Sequence, residues 1–233
     1  SLPALNKSIV EHQSSEAHPT PPMGPFPVEQ QRMLGAKLME VLGFDFDKGR
    51  LDESVHPFTG GTPDDLRITT RYEEKHFISG LLGILHETGH ALYEKGLPQK
   101  WRRQPVGRAR GMDVHESQSL LIEMQVCRSL EFLTYASPLI QWAFGQSGPE
   151  MAPVNLHRLV TRVRPNLIRV DADEVTYPLH VILRYRLELA LLSKDLSLND
   201  LPCAWNAATK MLLDLTPSND RDGCLQDIHW FNG

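Results

Sequence analysis

Cysteine is scarce in this chain, and the three present, Cys127, Cys203 and Cys224, stand far apart with no C-x-x-C spacing. They cannot all pair with one another and they form no thiolate zinc motif, so reduced thiols in a cytoplasmic protein are the expectation. Long apolar runs are missing too: none approaches the ~20 residues that a membrane helix needs, and no signal-peptide pattern opens the chain. Charge of one sign never accumulates. With a net charge of −5 and no long acidic or basic run, neither a nucleic acid nor a membrane is called for as partner. Internal repeats and low-complexity segments are also absent.

What remains is an ordinary globular composition, 233 residues at 41% hydrophobic, enough for one large domain or two small ones. Residues 1–17 are mixed. Pro19, Pro21, Pro22, Pro25 and Pro27 make residues 18–27 an extended connector, and Met33, Leu34, Leu38, Val41 and Leu42 give residues 28–42 the period of an amphipathic helix closed by Gly43. Residues 44–66 are rich in turn formers and read as irregular. Alternation over 67–72 reads as a short edge strand lining a cleft. A long helix follows over 73–95, stopped by Gly96 and Pro98. The loop 96–114 carries Lys100, Arg102, Arg103, Arg108 and Arg110. Helices are expected over 115–135, 155–163, 167–194 and 200–214, and residues 216–233 are rich in turns. The fold class expected is mainly α, with a small edge strand or sheet near the cleft.

Within the helix 73–95 lies His86-Glu87-Thr88-Gly89-His90. Residues four apart share a helix face, so His86 and His90 can aim at one ion, while Glu87, about 100° around the axis, can reach water bound to it. This is the H-E-x-x-H arrangement of a zinc hydrolase, two metal ligands and a general base. With 10 His and 15 Glu in 233 residues, random placement yields roughly 0.03 such matches, so the motif is informative without being decisive.

A catalytic zinc site needs a third protein ligand, and with no suitable thiolate it must be His or a carboxylate. Glu116, at the start of the next helix, is the first choice and His115 its rival. Adjacent residues on a helix diverge by about 100°, so one of the two is a ligand and the other an outer or substrate-binding group.

His56-Pro57-Phe58, Asp65-Leu66-Arg67-Ile68-Thr69, His86-Glu87-Thr88-Gly89-His90, His115-Glu116-Ser117-Gln118 and the run from Ile168 to Arg184 stand in the order HPF, DxRxT, HExxH, HE(S/G)Q and IRxxADE(L/V)TYPLHIxLR. In this the chain resembles the carboxypeptidase Taq family. The resemblance implies a helical gluzincin-type metallocarboxypeptidase, usually a homodimer, that removes single residues from peptide C-termini with zinc or cobalt. It makes His86, His90 and Glu116 the metal ligands and Glu87 the base. Family members are longer, so residues 1–233 are expected to form a single catalytic region lacking N- and C-terminal parts of the family fold.

Substrate roles follow from the same motifs. Arg169 is the first candidate to fork onto the terminal carboxylate of the substrate, with Arg67 and Arg184 behind it. On a helix near 173–188, Asp173, Tyr177, His180, Arg184 and Glu188 form a polar stripe that reads as a cleft wall, kinked or restarted at Pro178. Tyr177 or His180 is a candidate oxyanion donor, and Asp65 and Asp173 are candidate acceptors for a ligand imidazole. An oligopeptidase or aminopeptidase of the same architecture, or a metal-binding module without turnover, are the alternatives.

Overall fold

The structure, a computed structural model, describes residues 1–226; the remainder of the turn-rich C-terminal stretch, with His229, Trp230 and Phe231, lies outside the described residues. Contacts divide the chain into two compact units, Pro19–Leu159 and a second made of Ser1–His18 with the chain from Val160 onward. No helix among the described residues is long and apolar enough to cross a membrane.

In the unit Pro19–Leu159, α2 (Val28–Leu42) follows the proline-rich connector and is preceded in the chain by α1 (Leu2–Gln13) of the other unit. Three strands come next, β1 (Gly49–Glu53), β2 (Phe58–Thr62) and β3 (Asp65–Thr70), in the order β1-β3-β2, with β1 parallel and β2 antiparallel to β3. This corrects two expectations. The strand read at 67–72 begins at Asp65 and is central rather than an edge, and the stretch read as irregular supplies both of its neighbours. The alternation that marks β3 is real, since Leu66 and Ile68 are buried between exposed Asp65 and Arg67. β1 and β2 carry no such pattern because neither has a fully buried residue; pairing with β3 rather than propensity makes them strands.

α3 (Phe77–Gly96) packs on this sheet and on α2. Met39, Phe44, Leu66, Ile68, Tyr72, Ile84 and Ala91 form the core where the three meet. Phe26, Phe77 and Phe144 close a second apolar layer, their ring centroids 4.8 to 4.9 Å apart. The single helix expected over 115–135 is instead α4 (Met112–Leu120), a π-helical segment Leu121–Val126, and α5 (Leu130–Phe144). Ser129 restarts the helix by accepting the Phe132 N–H at 3.2 Å, and α5 continues past Pro138 because Ala136, Ile140 and Ala143 are buried beneath it. The short α6 (Pro153–Val160) follows.

The second unit holds α7 (Tyr177–Leu192) and α8 (Leu201–Leu213), packed through Leu179, Leu183, Leu187, Trp205, Leu212 and Leu213. Its α1 is pinned by Gln13, which donates to the Val163 carbonyl at 3.0 Å and accepts from the Val163 N–H at 2.9 Å. The helix expected over 167–194 does not begin until Tyr177. Pro178 lies in the first turn, where a missing N–H costs nothing. Asp173 is therefore outside the helix and off the predicted stripe. Its carboxylate accepts from the Arg164, Val175 and Thr176 N–H groups at 2.8 to 3.0 Å and from the Thr176 hydroxyl at 2.9 Å, which stops the helix from extending backward.

Candidate metal centre

The site is made where α3 and α4 touch. Gly89 sits at the contact: a Cβ there would lie 2.6 Å from the Ser119 Cα and 2.8 Å from the Gln118 carbonyl oxygen, closer than side-chain atoms approach. Only a glycine between the two histidines lets the α4 backbone come this near. The approach brings Glu116 Oε2 to 3.5 Å from His86 Nε2 and 3.3 Å from His90 Nε2. Two donors of one tetrahedral ion at 2.0–2.1 Å are separated by about 3.4 Å, so these spacings fit a cation held between them. Among the described residues this is the group of His, Cys, Asp or Glu whose ligand atoms converge for a metal. Nitrogen and carboxylate donors together suit a divalent ion of the zinc type.

Each candidate ligand is held from behind. His86 Nδ1 lies 3.0 Å from Glu123 Oε2, and the other oxygen of Glu123 is paired with Arg128, both residues being buried. Burial alone would raise the Glu123 carboxyl, but the His86 hydrogen bond and the Arg128 charge outweigh it and hold it below its ordinary value. For His86 burial likewise disfavours the charge, and the carboxylates of Glu116 and Glu123 outweigh it, lifting the imidazole to about 10. Ser119 Oγ is 3.1 Å from Glu116 Oε2. Behind His90, its Nδ1 meets His115 Nδ1 at 2.6 Å, and His115 Nε2 meets Glu94 Oε1 at 2.9 Å. Of the two rivals for the third position, Glu116 faces both imidazoles, and His115 stands on the far side of one of them.

Glu87 is buried, and its Oε2 lies 2.7 Å from the Thr59 hydroxyl on β2. Thr69 of β3 is 2.6 Å from the Ser54 hydroxyl and accepts the Phe58 N–H at 3.1 Å, which ties the start of β2 to the central strand. Thus the segments His56–Phe58 and Asp65–Thr69 build the strand that supports Glu87.

Other expected residues lie elsewhere. Both Asp65 oxygens are taken by Arg67, at 3.2 and 2.9 Å on the exposed face of the sheet; the side chains at hydrogen-bond distance from the Nδ1 atoms of His86 and His90 are Glu123 and His115. Asp173 is likewise consumed by its own loop, as described above. In the second unit, Arg169 Nη1 donates to the Tyr177 hydroxyl at 3.1 Å. His180 is buried there with no partner for its Nε2 among the described residues, and burial pushes its imidazole below the ordinary value. Arg184 is half-buried on α7.

Sequence reasoning missed Glu94, Glu123, Arg128, Ser119 and Thr59. Two had a signal: Glu94 follows His90 by one helical turn, and Glu123 follows Glu116 by two. Thr59 had none, because a strand pairing places it.

The sequence model of the family described as "Carboxypeptidase Taq (M32) metallopeptidase" matches residues 1–233. Carboxypeptidase 1 of Bacillus subtilis is 42% identical over 209 residues, 89% of this chain and 42% of that protein. Thermostable carboxypeptidase 1 of Thermus thermophilus is 46% identical, over 90% of this chain and 41% of its own. Among solved structures, Trypanosoma cruzi metallocarboxypeptidase 1 superposes with a TM-score of 0.94 at 46% identity, covering 98% of this chain and 48% of the other. The M32 carboxypeptidase of Deinococcus radiodurans R1 follows at a TM-score of 0.89 and 38% identity, over 100% of this chain and 47% of the other. The chain thus spans under half the length of these relatives. Sequence match, fold and the convergence of His86, His90 and Glu116 agree, and the chain belongs to the carboxypeptidase Taq (M32) family of metallopeptidases.

Proposed function

We propose that this chain carries the catalytic centre of a metal-dependent carboxypeptidase, which hydrolyses the C-terminal bond of a peptide. The observation that carries the reading is the meeting of two imidazole Nε2 atoms with one carboxylate oxygen, at 3.5 and 3.3 Å, on the helix that bears Glu87. His86, His90 and Glu116 hold the metal, zinc in this reading, with cobalt as the alternative. Such an ion, when bound, supplies the Lewis acidity that brings the pKa of water toward neutrality and polarises the scissile carbonyl. Glu87 accepts the proton of the attacking water and later gives it to the departing amine, so the C–N bond breaks to a neutral leaving group. Thr59, by its hydrogen bond, keeps the Glu87 carboxylate in one orientation while it does so.

Removal of a single C-terminal residue requires a fixed cation for the terminal carboxylate. We assign Arg169 to it first, then Arg67 and Arg184, on the motif resemblance. Tyr177 and His180 are proposed, on the same motif resemblance, as hydrogen-bond donors to the developing oxyanion. A homodimer, a cytoplasmic location and a single catalytic region over 1–233 belong to the same proposal. A metal-binding module without turnover is the second reading. The test is to load the chain with zinc and offer an N-blocked peptide beside its C-amidated counterpart. Release of the free terminal amino acid from the first alone supports a carboxypeptidase; stoichiometric zinc with no release from either favours the module.

A further inference from the structure

One imidazole and one carboxylate, those of His115 and Glu94, stand in line behind the metal-facing side of His90, and the proposed hydrolytic chemistry uses neither. His90 Nδ1 and His115 Nδ1 are 2.6 Å apart, and His115 Nε2 and Glu94 Oε1 are 2.9 Å apart. We infer that Glu94 and His115 are positioning residues that lock His90 into the one protonation pattern able to bind a metal, through a directional chain of two hydrogen bonds. This rests on the reading of His86, His90 and Glu116 as the metal ligands.

The direction of the chain follows from what each group can offer. A carboxylate only accepts, so the hydrogen between Glu94 and His115 belongs to His115 Nε2. A neutral imidazole carries one N–H and one lone pair, which leaves His115 Nδ1 as an acceptor. The contact at 2.6 Å then requires the hydrogen to sit on His90 Nδ1. That conclusion holds whether His90 is neutral or protonated. In the neutral state the nitrogen left for a metal is then Nε2, the atom 3.3 Å from Glu116 Oε2. At His86 a carboxylate faces the Nδ1 directly, Glu123 Oε2 standing behind it at 3.0 Å.

The surroundings keep the chain in register. His86, His90 and Glu94 follow at intervals of four along α3, so they share a face. The Tyr93 ring packs edge-on against His115 with centroids 4.9 Å apart, and the Tyr93 hydroxyl accepts the Arg110 N–H at 3.2 Å, tying down the approach to α4. The His90 and His115 side chains are only 11% and 13% exposed, which limits competition from water for the shared hydrogen. At the far end Glu94 lines a surface cavity of about 310 Å³ with Arg102 and Arg108. The pair His115-Glu116 therefore serves one histidine from both sides: Glu116 at its metal-binding nitrogen, His115 at the other.

Glu94→Gln tests this with almost no change of shape, because a carboxamide can turn an N–H toward His115 Nε2 and reverse the whole chain. Long-range ¹H–¹⁵N correlation on the metal-free protein reports which nitrogen of His90 is protonated, and chelator-competition calorimetry reports zinc affinity. The native chain is expected to show hydrogen on His90 Nδ1. Glu94→Gln is expected to populate the Nε2–H form and lose about 10–100-fold in zinc affinity, with the backbone amide spectrum unchanged. Native protein with a neutral His90 protonated at Nε2 overturns the inference without any variant. So does zinc affinity unaltered in Glu94→Gln and in His115→Phe. If instead the native chain binds zinc no better than His90→Ala, the metal-ligand reading falls, and the tautomer of His90 still decides the hydrogen-bond chain separately.

Discussion

Thr59 and Glu87, separated by 28 positions in sequence, are joined by a 2.7 Å hydrogen bond from the threonine hydroxyl to the glutamate carboxylate. The same hydroxyl lies 2.9 Å from the Glu87 carbonyl oxygen, so a strand and the helix that carries the two histidines are stitched at the residue proposed to move the proton. Thr59→Val removes the donor and keeps the volume. A lost hydrogen bond to a charged group is worth about 1.5–3 kcal/mol, so unfolding free energy should drop by that order. Peptide hydrolysis should fall in kcat rather than KM, zinc affinity should hold, and Thr59→Ser should restore both stability and turnover. Denaturant titration and steady-state kinetics check it.

Metal uptake should release a proton. Glu116 and Glu123 overcome the burial penalty and raise the His86 imidazole to about 10, which favours the form with hydrogen on both ring nitrogens. Its Nε2 must lose that hydrogen to bind a cation. Below the folded pKa, apparent zinc affinity should therefore rise about tenfold per pH unit for each proton released. Calorimetry in buffers of different ionisation enthalpy measures the number directly; no net release between pH 6 and 9 contradicts it.

Glu123 should matter for folding as well as for the metal site. Removing one partner of a buried ion pair strands the other charge, at a cost of about 3–5 kcal/mol. Glu123→Ala leaves buried Arg128 in that position and also deprives His86 of its acceptor. Thermal unfolding should show the loss. Arg128→Met in the same background should recover part of the stability but none of the zinc affinity.

Gly89→Ala should open the site. The added Cβ meets backbone atoms of α4 at 2.6 and 2.8 Å, which cannot rotate away. Overpacking of this kind costs about 1–3 kcal/mol. It should also separate Glu116 from the two imidazoles, with zinc affinity lost before helical content is. Circular dichroism and metal titration on one sample distinguish the two.

How much of this was legible in the sequence depends on the range of the contact. The bounds of α2, the metal-site helix and the pairing of His86 with His90 come from periods within a single helix, which local pattern encodes. Glu116 was reachable because a metal site requires a third donor. β1 and β2 were not, since exposed strands with glycine and charged residues are defined by their partner rather than by their own residues. Asp173 was misplaced on a helix because spacing alone counts positions and does not see its side chain consumed by the Thr176 and Arg164 amides. Glu123 follows Glu116 by seven positions, a spacing that points to one helix face, but it lies in a π-helical stretch, where the turn widens and residues re-aim.

The most direct measurement is hydrolysis of an N-blocked peptide by the zinc-loaded chain and by its Glu87→Gln variant, with zinc content determined on both. The account predicts equal zinc, one ion per chain, and turnover in the native protein reduced by several orders of magnitude in the variant. Equal turnover by the two, at equal metal content, contradicts the assignment of Glu87 as the group that takes the proton from water.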